Sequence, residues 1–216
     1  MKPLIPATRQ DKARVIDILV TAFDQDPQIQ WYIGKGPGRQ RRLYTLMEFA
    51  FEEGMARNAV FLSEDRNGVS IWRKTTATPF SWPFMWLYVK FTMVFGLKRI
   101  KAITAMEDNI KSRYPTSNPF WYLWLLAVAP EGQGKGVSSQ LLRPHLHSAD
   151  KQEVPVYLET SKLRNVSIYQ RKGFEVYDEM ELDAEVGSQI YFMRREANPV
   201  IPSSIQEKVS VVPSAL

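Results

Sequence analysis

A glycine-rich turn placed directly after an apolar strand is the feature that most constrains this chain. Residues Trp121–Val128 form a continuous apolar run, which favours a strand buried in a sheet, and Pro130 follows it. Residues 132–136 contain three glycines, and helical spacing of apolar residues begins at Val137. Glycine allows positive φ, and a helix N-terminus presents unpaired N–H groups to a ligand. The pattern predicts a strand, a turn and a helix that together hold an anion.

Two known phosphate-binding motifs do not account for this turn. A Walker A loop has Ser or Thr after its lysine, whereas Gly136 follows Lys135 here. A dinucleotide-binding fingerprint requires its third glycine at the position that Val137 occupies. When these residues are taken alone, a glycine-rich connection without a ligand stays open as the alternative.

The composition is that of one folded domain. The chain has 216 residues, of which 44% are hydrophobic and 24% are charged, as is typical of globular proteins. We predict a single domain over residues 1–196, with an apolar aromatic insertion at 75–119, and a poorly ordered tail at 197–216 that contains three prolines. The net charge of +5 is too small to indicate nucleic acid as a partner.

The use of cysteine and histidine restricts the chemistry. The chain has no cysteine, which excludes disulfides, thiol nucleophiles and cysteine-ligated metals. With only His145 and His147 present, no metal site is expected, and we predict that both histidines lie at the surface beyond Pro144. The N-terminus lacks the apolar run of a signal peptide, which predicts a cytoplasmic protein.

The periodicity of the remaining segments predicts an α/β fold, with a mixed sheet and helices on both faces. Asn67-Gly68 is a typical turn pair and predicts a hairpin. The predicted elements are a strand at Leu4–Thr8, a helix from Asp11 that Pro27 ends, a helix at Arg39–Met55, hairpin strands at Val60–Glu64 and Val69–Arg73, a strand at Val154–Thr160, a helix at Asn165–Lys172 that Gly173 caps, and short strands at Phe174–Tyr177, Glu181–Leu182 and Ile190–Met193.

The segment Pro79–Leu97 is very apolar and rich in aromatic residues. A charge at its centre, Lys90, argues against a helix that spans a membrane. We interpret it as a buried helix that covers a ligand pocket. Because the basic residues of Lys98–Lys101 follow directly, a helix lying at a membrane surface is the alternative.

The glycine turn and a second segment together resemble a known family. Gln133, Gly136 and Ser138 fall on the places of a Gln/Arg-x-x-Gly-x-Gly/Ala turn, with Ser in place of the last small residue. Asn165 and Tyr169 share one helix face, before the Gly-Phe pair at 173–174. Taken alone, this Asn and Tyr would be read as a helix cap and a core residue. In this combination the chain resembles the GNAT superfamily of N-acetyltransferases.

The resemblance implies a mostly antiparallel central sheet whose splayed central strand pair binds acyl-CoA. It implies acetyl-CoA as the cosubstrate, with the diphosphate on the turn, the pantetheine along the strand before it, and Asn165 holding the cosubstrate or Tyr169. The residues implied in acetyl-CoA binding are Leu126, Ala127, Val128, Gln133, Gly134, Lys135, Gly136, Val137, Ser138, Asn165 and Tyr169.

The resemblance also implies direct acetyl transfer to an amine in a ternary complex. Tyr169 would protonate the departing thiolate as general acid, and Glu159 is our candidate for the general base. Related family sequences carry histidines just before the central strand, where this chain has Tyr114 and Phe120, so no histidine base is available there.

The residues leave the acceptor open. We expect a small-molecule amine, with the protein acting as a monomer or homodimer. One alternative is an acyl-CoA-binding or regulatory module without catalysis. The other is O-acetylation of an apolar hydroxylated acceptor, in a pocket lined by Trp82, Phe84, Trp86, Phe91, Phe95 and Trp124.

Overall fold

A seven-stranded sheet forms the centre of the computed structural model, which describes residues 4–74, 82–116, 118–183 and 187–198. Most of the predicted tail and the start of the predicted insertion lie outside these residues. The strands are β1 Ile5–Pro6, β2 Val60–Leu62, β3 Gly68–Lys74, β4 Trp121–Val128, β5 Val156–Thr160, β6 Glu175–Asp183 and β7 Ser188–Arg195, and the helices are α1 Lys12–Phe23, α2 Pro27–Ile33, α3 Arg39–Ala56, α4 Trp82–Phe95, α5 Leu97–Lys111, α6 Val137–Lys151 and α7 Leu163–Gln170.

The sheet has the strand order β1-β2-β3-β4-β5-β7-β6. Every neighbouring pair is antiparallel except β4 and β5, which are parallel. Since a parallel pair needs a long crossover, the chain passes through α6 between these two strands. The predicted mixed and mostly antiparallel sheet is confirmed.

The parallel pair β4–β5 is the point where the sheet opens. The two strands are in register only at Trp121 with Val156 and at Tyr122 with Tyr157. Strand β4 nevertheless continues to Val128, and on its other side it stays paired with β3 along its whole length. Beyond Tyr122, β4 and β5 therefore separate, which leaves a gap in the middle of the sheet.

Helices cover both faces of the sheet, as predicted. On one face, α1 and α3 bury an apolar stripe that includes Val15, Leu19 and Phe51. On the other face, α6 and α7 bury residues such as Leu142 and Val166 against β5. Each helix contributes only one apolar stripe, so the sheet lies between two cores and reaches solvent mainly at its edges.

The helix at the N-terminus ends earlier than predicted. Helix α1 stops at Phe23, and Pro27 opens a separate helix, α2. The carboxylate of Asp26 caps α2 by accepting from the N–H groups of Gln28 and Ile29 at 3.1 and 3.2 Å. The first N–H groups of a helix have no partner within it, so proline, which lacks an N–H, is favourable at the first helical position although it disfavours a helix interior.

The predicted hairpin is confirmed as β2 and β3, but the strands after Gly173 were predicted wrongly. The three short strands are two long ones, β6 and β7. Strand β6 lies at the edge of the sheet, so Glu179 and Glu181 face solvent while Met180 and Leu182 are buried. The polar residues that suggested breaks are the solvent side of a continuous edge strand.

Within the apolar segment Pro79–Leu97, the described residues Trp82–Phe95 form a half-exposed helix instead of a buried one. Helix α4 ends before Gly96, whose φ is +75°, and α5 continues from there. Phe91 and Phe95 are buried in the core, whereas 74% of Trp86 is exposed. Among the described residues, no helix has both the length and the apolar character needed to cross a membrane.

Candidate active site

The predicted anion-binding turn lies between β4 and α6. A single 3-10 turn at Pro130–Gly132 leads to Gly134 and Gly136, which both have φ of +76°. A Cβ atom at either glycine would meet nothing within 4 Å, so the turn is open on that side. Gly136 is the N-cap of the 15-residue helix α6. The first N–H groups of such a helix have no carbonyl partner within it, so they are available to an anion.

The hairpin between β2 and β3 supports this turn from below. A Cβ atom at Gly68 would lie 2.4 Å from Cγ1 of Val137, so glycine is required for α6 to approach β3 this closely. The guanidinium of Arg14 donates to Oδ1 of Asn67 at 2.8 Å and to Oε1 of Glu131 at 2.7 Å. The hairpin and α1 together hold the start of the turn.

Helix α7 lies on the other side of the gap. Its N-cap residue is Lys162, so Asn165 is not a cap; its side-chain amide donates to Oγ1 of Thr160 at 3.2 Å. The ring of Tyr169 is buried against Phe174 in an edge-to-face contact of 5.8 Å. Among the described residues, the Tyr169 hydroxyl has no hydrogen-bond partner. Burial, with the negative charges of nearby carboxylates, raises its pKa and keeps the phenol protonated.

A half-buried carboxylate with two phenol partners lies on β5. Oε1 of Glu159 accepts a hydrogen bond from the hydroxyl of Tyr122 at 2.5 Å, and Oε2 accepts one from the hydroxyl of Tyr114. Burial raises the pKa of Glu159 to about 7, although both phenols favour the ionised form. The charge of Glu107 raises this pKa further. Glu159 can therefore both accept and release a proton near neutral pH.

The two phenols themselves remain neutral donors. Burial raises the pKa of both Tyr114 and Tyr122 well above the ordinary value of a tyrosine, and the charge of Glu159 adds to the effect. Each hydroxyl is thus fixed as a donor toward the carboxylate, and Glu159 accepts from both.

Two cavities lie beside this group and share a wall. The larger has a volume of about 640 Å³ and the smaller about 260 Å³, and both are lined by Arg73, Glu107 and Lys111. The smaller cavity also reaches Tyr114 and Tyr122. The larger one is lined mostly by apolar and aromatic side chains of α2, α3, α4, α5 and β4, among them Ile29, Phe49, Tyr88, Phe91, Ile103 and Trp124.

The two carboxylates in the cavity walls, Glu53 and Glu107, differ in their ion pairs. Glu53 forms ion pairs with Arg73 and with Arg57, and Arg73 also lies 3.3 Å above the ring of Trp124. Glu107 accepts a hydrogen bond of 2.6 Å from the hydroxyl of Tyr32. Among the described residues no lysine or arginine lies within ion-pair distance of Glu107, so its charge is available to a cationic ligand.

Comparisons with known proteins agree with this arrangement. The profile of the acetyltransferase (GNAT) domain family matches residues 98–193. An uncharacterized N-acetyltransferase of Schizosaccharomyces pombe is 41% identical over 178 residues, a match that covers 76% of this chain and 71% of that protein. This chain belongs to the GNAT acetyltransferases. It is an N-acetyltransferase of that family, as the resemblance of its glycine turn predicts.

Solved structures share the GNAT fold. A histone acetyltransferase HPA2 and related acetyltransferase of Corynebacterium glutamicum superposes with a TM-score of 0.65 at 24% identity, covering 94% of this chain and 99% of that one. Arylalkylamine N-acetyltransferase 2 of Aedes aegypti gives 0.62 at 12% identity, covering 91% and 99%. A polyamine N-acetyltransferase of Drosophila melanogaster gives 0.61 at 10% identity, covering 90% and 99%. At these identities the similarity concerns the fold.

The GNAT fold places the predicted site residues around the gap between β4 and β5, and their roles stay predictions. The negative charge of Glu159 acts on the Tyr169 hydroxyl, so β5 and α7 bring the two predicted catalytic residues near each other. The others lie on β4 (Leu126, Ala127 and Val128), in the turn and first helical turn of α6 (Gln133, Gly134, Lys135, Gly136, Val137 and Ser138), and on α7 (Asn165).

Sequence reasoning missed the partners of Glu159. In the sequence, Tyr114 stands in place of a family histidine and Tyr122 is part of an apolar strand, and neither position indicates a contact with Glu159. Glu107 and Tyr32 carried no motif signal. A tyrosine near the start of an otherwise apolar strand is a weak hint, because its hydroxyl needs a partner once the strand is buried.

The predicted surface position of His145 is wrong. Its ring stacks on Trp72, with centroids 4.4 Å apart, and contacts Phe61 and Trp121 by edge-to-face packing. Only 6% of His145 is exposed. Pro144 does not end α6 in this GNAT protein, so the four-residue spacing from Leu141 carries His145 onto the core face.

Proposed function

We propose that this protein transfers an acetyl group from acetyl-CoA to the amine of a small-molecule acceptor. One observation carries the proposal: the gap between β4 and β5 has the open glycine turn at one end and the Glu159 group at the other. A phosphate-bearing acyl donor and a proton acceptor are thereby brought to opposite ends of one opening. Direct transfer between two bound substrates requires this arrangement.

The residues of the turn fit the diphosphate of acetyl-CoA. Backbone N–H groups of residues 133–138 donate hydrogen bonds to the phosphate oxygens, and the exposed side chain of Lys135 adds positive charge at the rim. Residues Leu126–Val128 of β4 do not pair with β5. The pantetheine lies along these residues and forms hydrogen bonds with their backbone, as an added strand would. The N–H of Val128 donates to the thioester oxygen as this oxygen gains charge.

Glu107 and Glu159 suit a cationic acceptor. An ammonium group entering the cavities can pair with the carboxylate of Glu107, which lines both cavities and has no cationic partner among the described residues. It must lose one proton before it attacks, and Glu159 accepts this proton directly or through the phenols of Tyr114 and Tyr122. The nitrogen then bonds to the thioester carbon as the C–S bond breaks. Tyr169 protonates the departing sulfur, and the second proton that the nitrogen must lose restores the Tyr169 hydroxyl.

Tyr169 completes the proton balance. Its raised pKa keeps the hydroxyl protonated, and no described residue accepts a hydrogen bond from it. It is therefore free to donate its proton to the sulfur that leaves. The yeast relative is named an N-acetyltransferase, and two proteins of the same fold are named for arylalkylamines and polyamines, which supports an amine as the acceptor.

The test begins with titration calorimetry of acetyl-CoA against three forms of the protein. Wild type is expected to bind, and Gly136→Trp is expected to lose binding because a side chain would fill the turn. Gly36→Trp is the matched control, since Gly36 also has positive φ and open space around it but lies outside the turn. Equal binding by wild type and Gly136→Trp would refute the proposed acetyl-CoA site.

A second assay follows acetyl transfer to paired amines and alcohols of the same carbon skeleton. Transfer to the amines is the expected result. Transfer only to the alcohols would make the protein an O-acetyltransferase. Binding of acetyl-CoA without transfer to any acceptor would make it an acyl-CoA-binding module.

A further inference from the structure

The exposed apolar surface of this protein is concentrated in one place. Nine large apolar side chains are exposed among the described residues, and six of them lie between Met85 and Leu97. Trp86, Met93 and Leu97 are the most exposed of these, at 74%, 71% and 77%. Single exposed apolar residues are ordinary in globular proteins, but a contiguous group marks a surface that binds something.

Helical geometry places these side chains together on the outside of the protein. Met85, Val89 and Met93 are spaced four apart and form one stripe along α4. The opposite stripe, which contains Phe91 and Phe95, is buried in the core against α3. Helix α4 is thus apolar on two sides, and only one side is used by the fold. We use the name α4 face for the exposed side of α4, formed by Met85, Trp86, Val89 and Met93, together with Leu97 at the start of α5.

The charged residues in the chain segment that forms the α4 face are all basic. The sequence contains no Asp or Glu between Asp65 and Glu107, a stretch that includes all of α4 and the start of α5. Lys98 and Lys101 are exposed at the N-terminal end of α5, directly after Leu97. Lys90 on α4 is partly neutralised by its ion pair with Glu48. The apolar surface is therefore bordered by cations, which favours an anionic partner.

We propose that the α4 face docks on the surface of an anionic lipid bilayer. Tryptophan, methionine and leucine enter the boundary between headgroups and acyl chains, while Lys98 and Lys101 stay among the phosphates. A second copy of the chain fits this surface less well. A two-fold interface would place the same lysines opposite each other, and lysine is depleted from the centre of protein interfaces.

The test is flotation of the full chain with vesicles of phosphatidylglycerol and phosphatidylcholine. At low salt the protein is expected to bind vesicles that contain phosphatidylglycerol and to bind pure phosphatidylcholine at least several-fold more weakly. Binding is expected to weaken at about 1 M salt, where the Debye length falls to about 3 Å. Absence of binding to phosphatidylglycerol vesicles at low salt would overturn the proposal.

Matched variants separate the α4 face from the rest of the surface. Leu97→Ser is expected to lower binding about tenfold, because the contact with the bilayer loses one leucine side chain that becomes buried on docking. Leu163→Ser removes a leucine that is 66% exposed elsewhere and is expected to leave binding unchanged. Lys98→Gln/Lys101→Gln is expected to lower binding by roughly tenfold or more, and Lys151→Gln/Arg171→Gln, which removes the same charge from other exposed positions, by much less.

A spectroscopic measurement places the contact. Quenching of tryptophan fluorescence by brominated lipid is expected for wild type and is expected to be largely lost in Trp86→Phe, which keeps an aromatic ring and the fold. Quenching that is unchanged in Trp86→Phe would overturn the assignment of the α4 face, as would equal binding by Leu97→Ser and Leu163→Ser. If wild type is a dimer that does not bind vesicles and Leu97→Ser is a monomer, the α4 face is a protein interface and the proposal is overturned.

Discussion

The hydroxyl of Tyr122 donates a hydrogen bond of 2.5 Å to Oε1 of Glu159, across the parallel strand pair and just where the two strands separate. This contact ties the carboxylate to the fixed end of the gap. Burial raises the pKa of Glu159 to about 7, so the same contact positions a proton acceptor whose charge changes near neutral pH.

The pH dependence of the reaction is expected to report Glu159. A general base must be ionised to act, so kcat/KM should fall about tenfold per pH unit below about 7 and level off above it. Glu159→Gln is expected to lower kcat/KM by about 100-fold or more and to remove this limb of the profile, while acetyl-CoA binding stays unchanged. A variant that keeps both the rate and the limb would exclude Glu159 as the base.

Removal of the Tyr114 hydroxyl is expected to shift the same limb toward higher pH. The hydrogen bond that Tyr114 donates stabilises the ionised carboxylate, so its loss in Tyr114→Phe raises the pKa of Glu159. The rate should fall several-fold below pH 7 and much less at high pH. Tyr177→Phe is the control, because that hydroxyl donates to the backbone oxygen of Arg113 instead. An unmoved limb would contradict this role.

Tyr169→Phe is expected to lower kcat by about 10- to 100-fold without changing acetyl-CoA affinity. The loss should nearly disappear with an acetyl thioester of an acidic aryl thiol, because such a leaving group departs without a proton. The temperature of unfolding should not change, since no described residue accepts a hydrogen bond from this hydroxyl. An equal loss with both donors would argue against Tyr169 as the acid.

Glu107→Gln is expected to raise KM for a cationic amine about tenfold and to leave kcat within a few-fold. Because the charge of Glu107 raises the pKa of Glu159, the acid limb should also move toward lower pH in this variant. Asp108→Asn is the matched control: it removes the exposed neighbouring carboxylate on α5. Identical KM values in the two variants would show that Glu107 does not attract the amine.

A stability prediction concerns the end of β7. Arg195 donates two hydrogen bonds to the carboxylate of Asp150 on α6, at 2.7 and 2.9 Å, and both side chains are only 12% exposed. Burial by itself raises the pKa of Asp150, but the Arg195 hydrogen bonds hold it below the ordinary value. Asp150→Asn is expected to lower the free energy of unfolding by about 3 kcal/mol, because it leaves Arg195 buried without its partner.

The neighbouring pair provides the comparison for that measurement. Arg194 and Glu196 are 2.9 Å apart, but their side chains are 46% and 64% exposed. Glu196→Gln should therefore change the free energy of unfolding by less than about 0.5 kcal/mol. Urea unfolding of both variants measures the difference, and equal effects would contradict the role of burial.

Local patterns predicted much of the fold correctly. The apolar run of β4, the hairpin and the glycine turn each depend on residues close together in the chain, so the sequence displays them directly. The errors had two causes. The start of α2 at Pro27 follows from a local cap by Asp26 that the reading of the sequence overlooked. Strand β6, in contrast, depends on tertiary context, because its polar residues lie on the open side of an edge strand.

The sequence by itself determined the family and the place of the glycine turn that we propose binds acetyl-CoA, since Gln133, Gly136 and their neighbours form a local motif. Only the tertiary structure decided the chemistry of Glu159. Its two phenol partners lie 45 and 37 residues away in the chain, and its pKa follows from burial, which no local pattern reports. The same reason explains His145 and the α4 face: whether a side chain meets protein or solvent depends on elements distant in sequence.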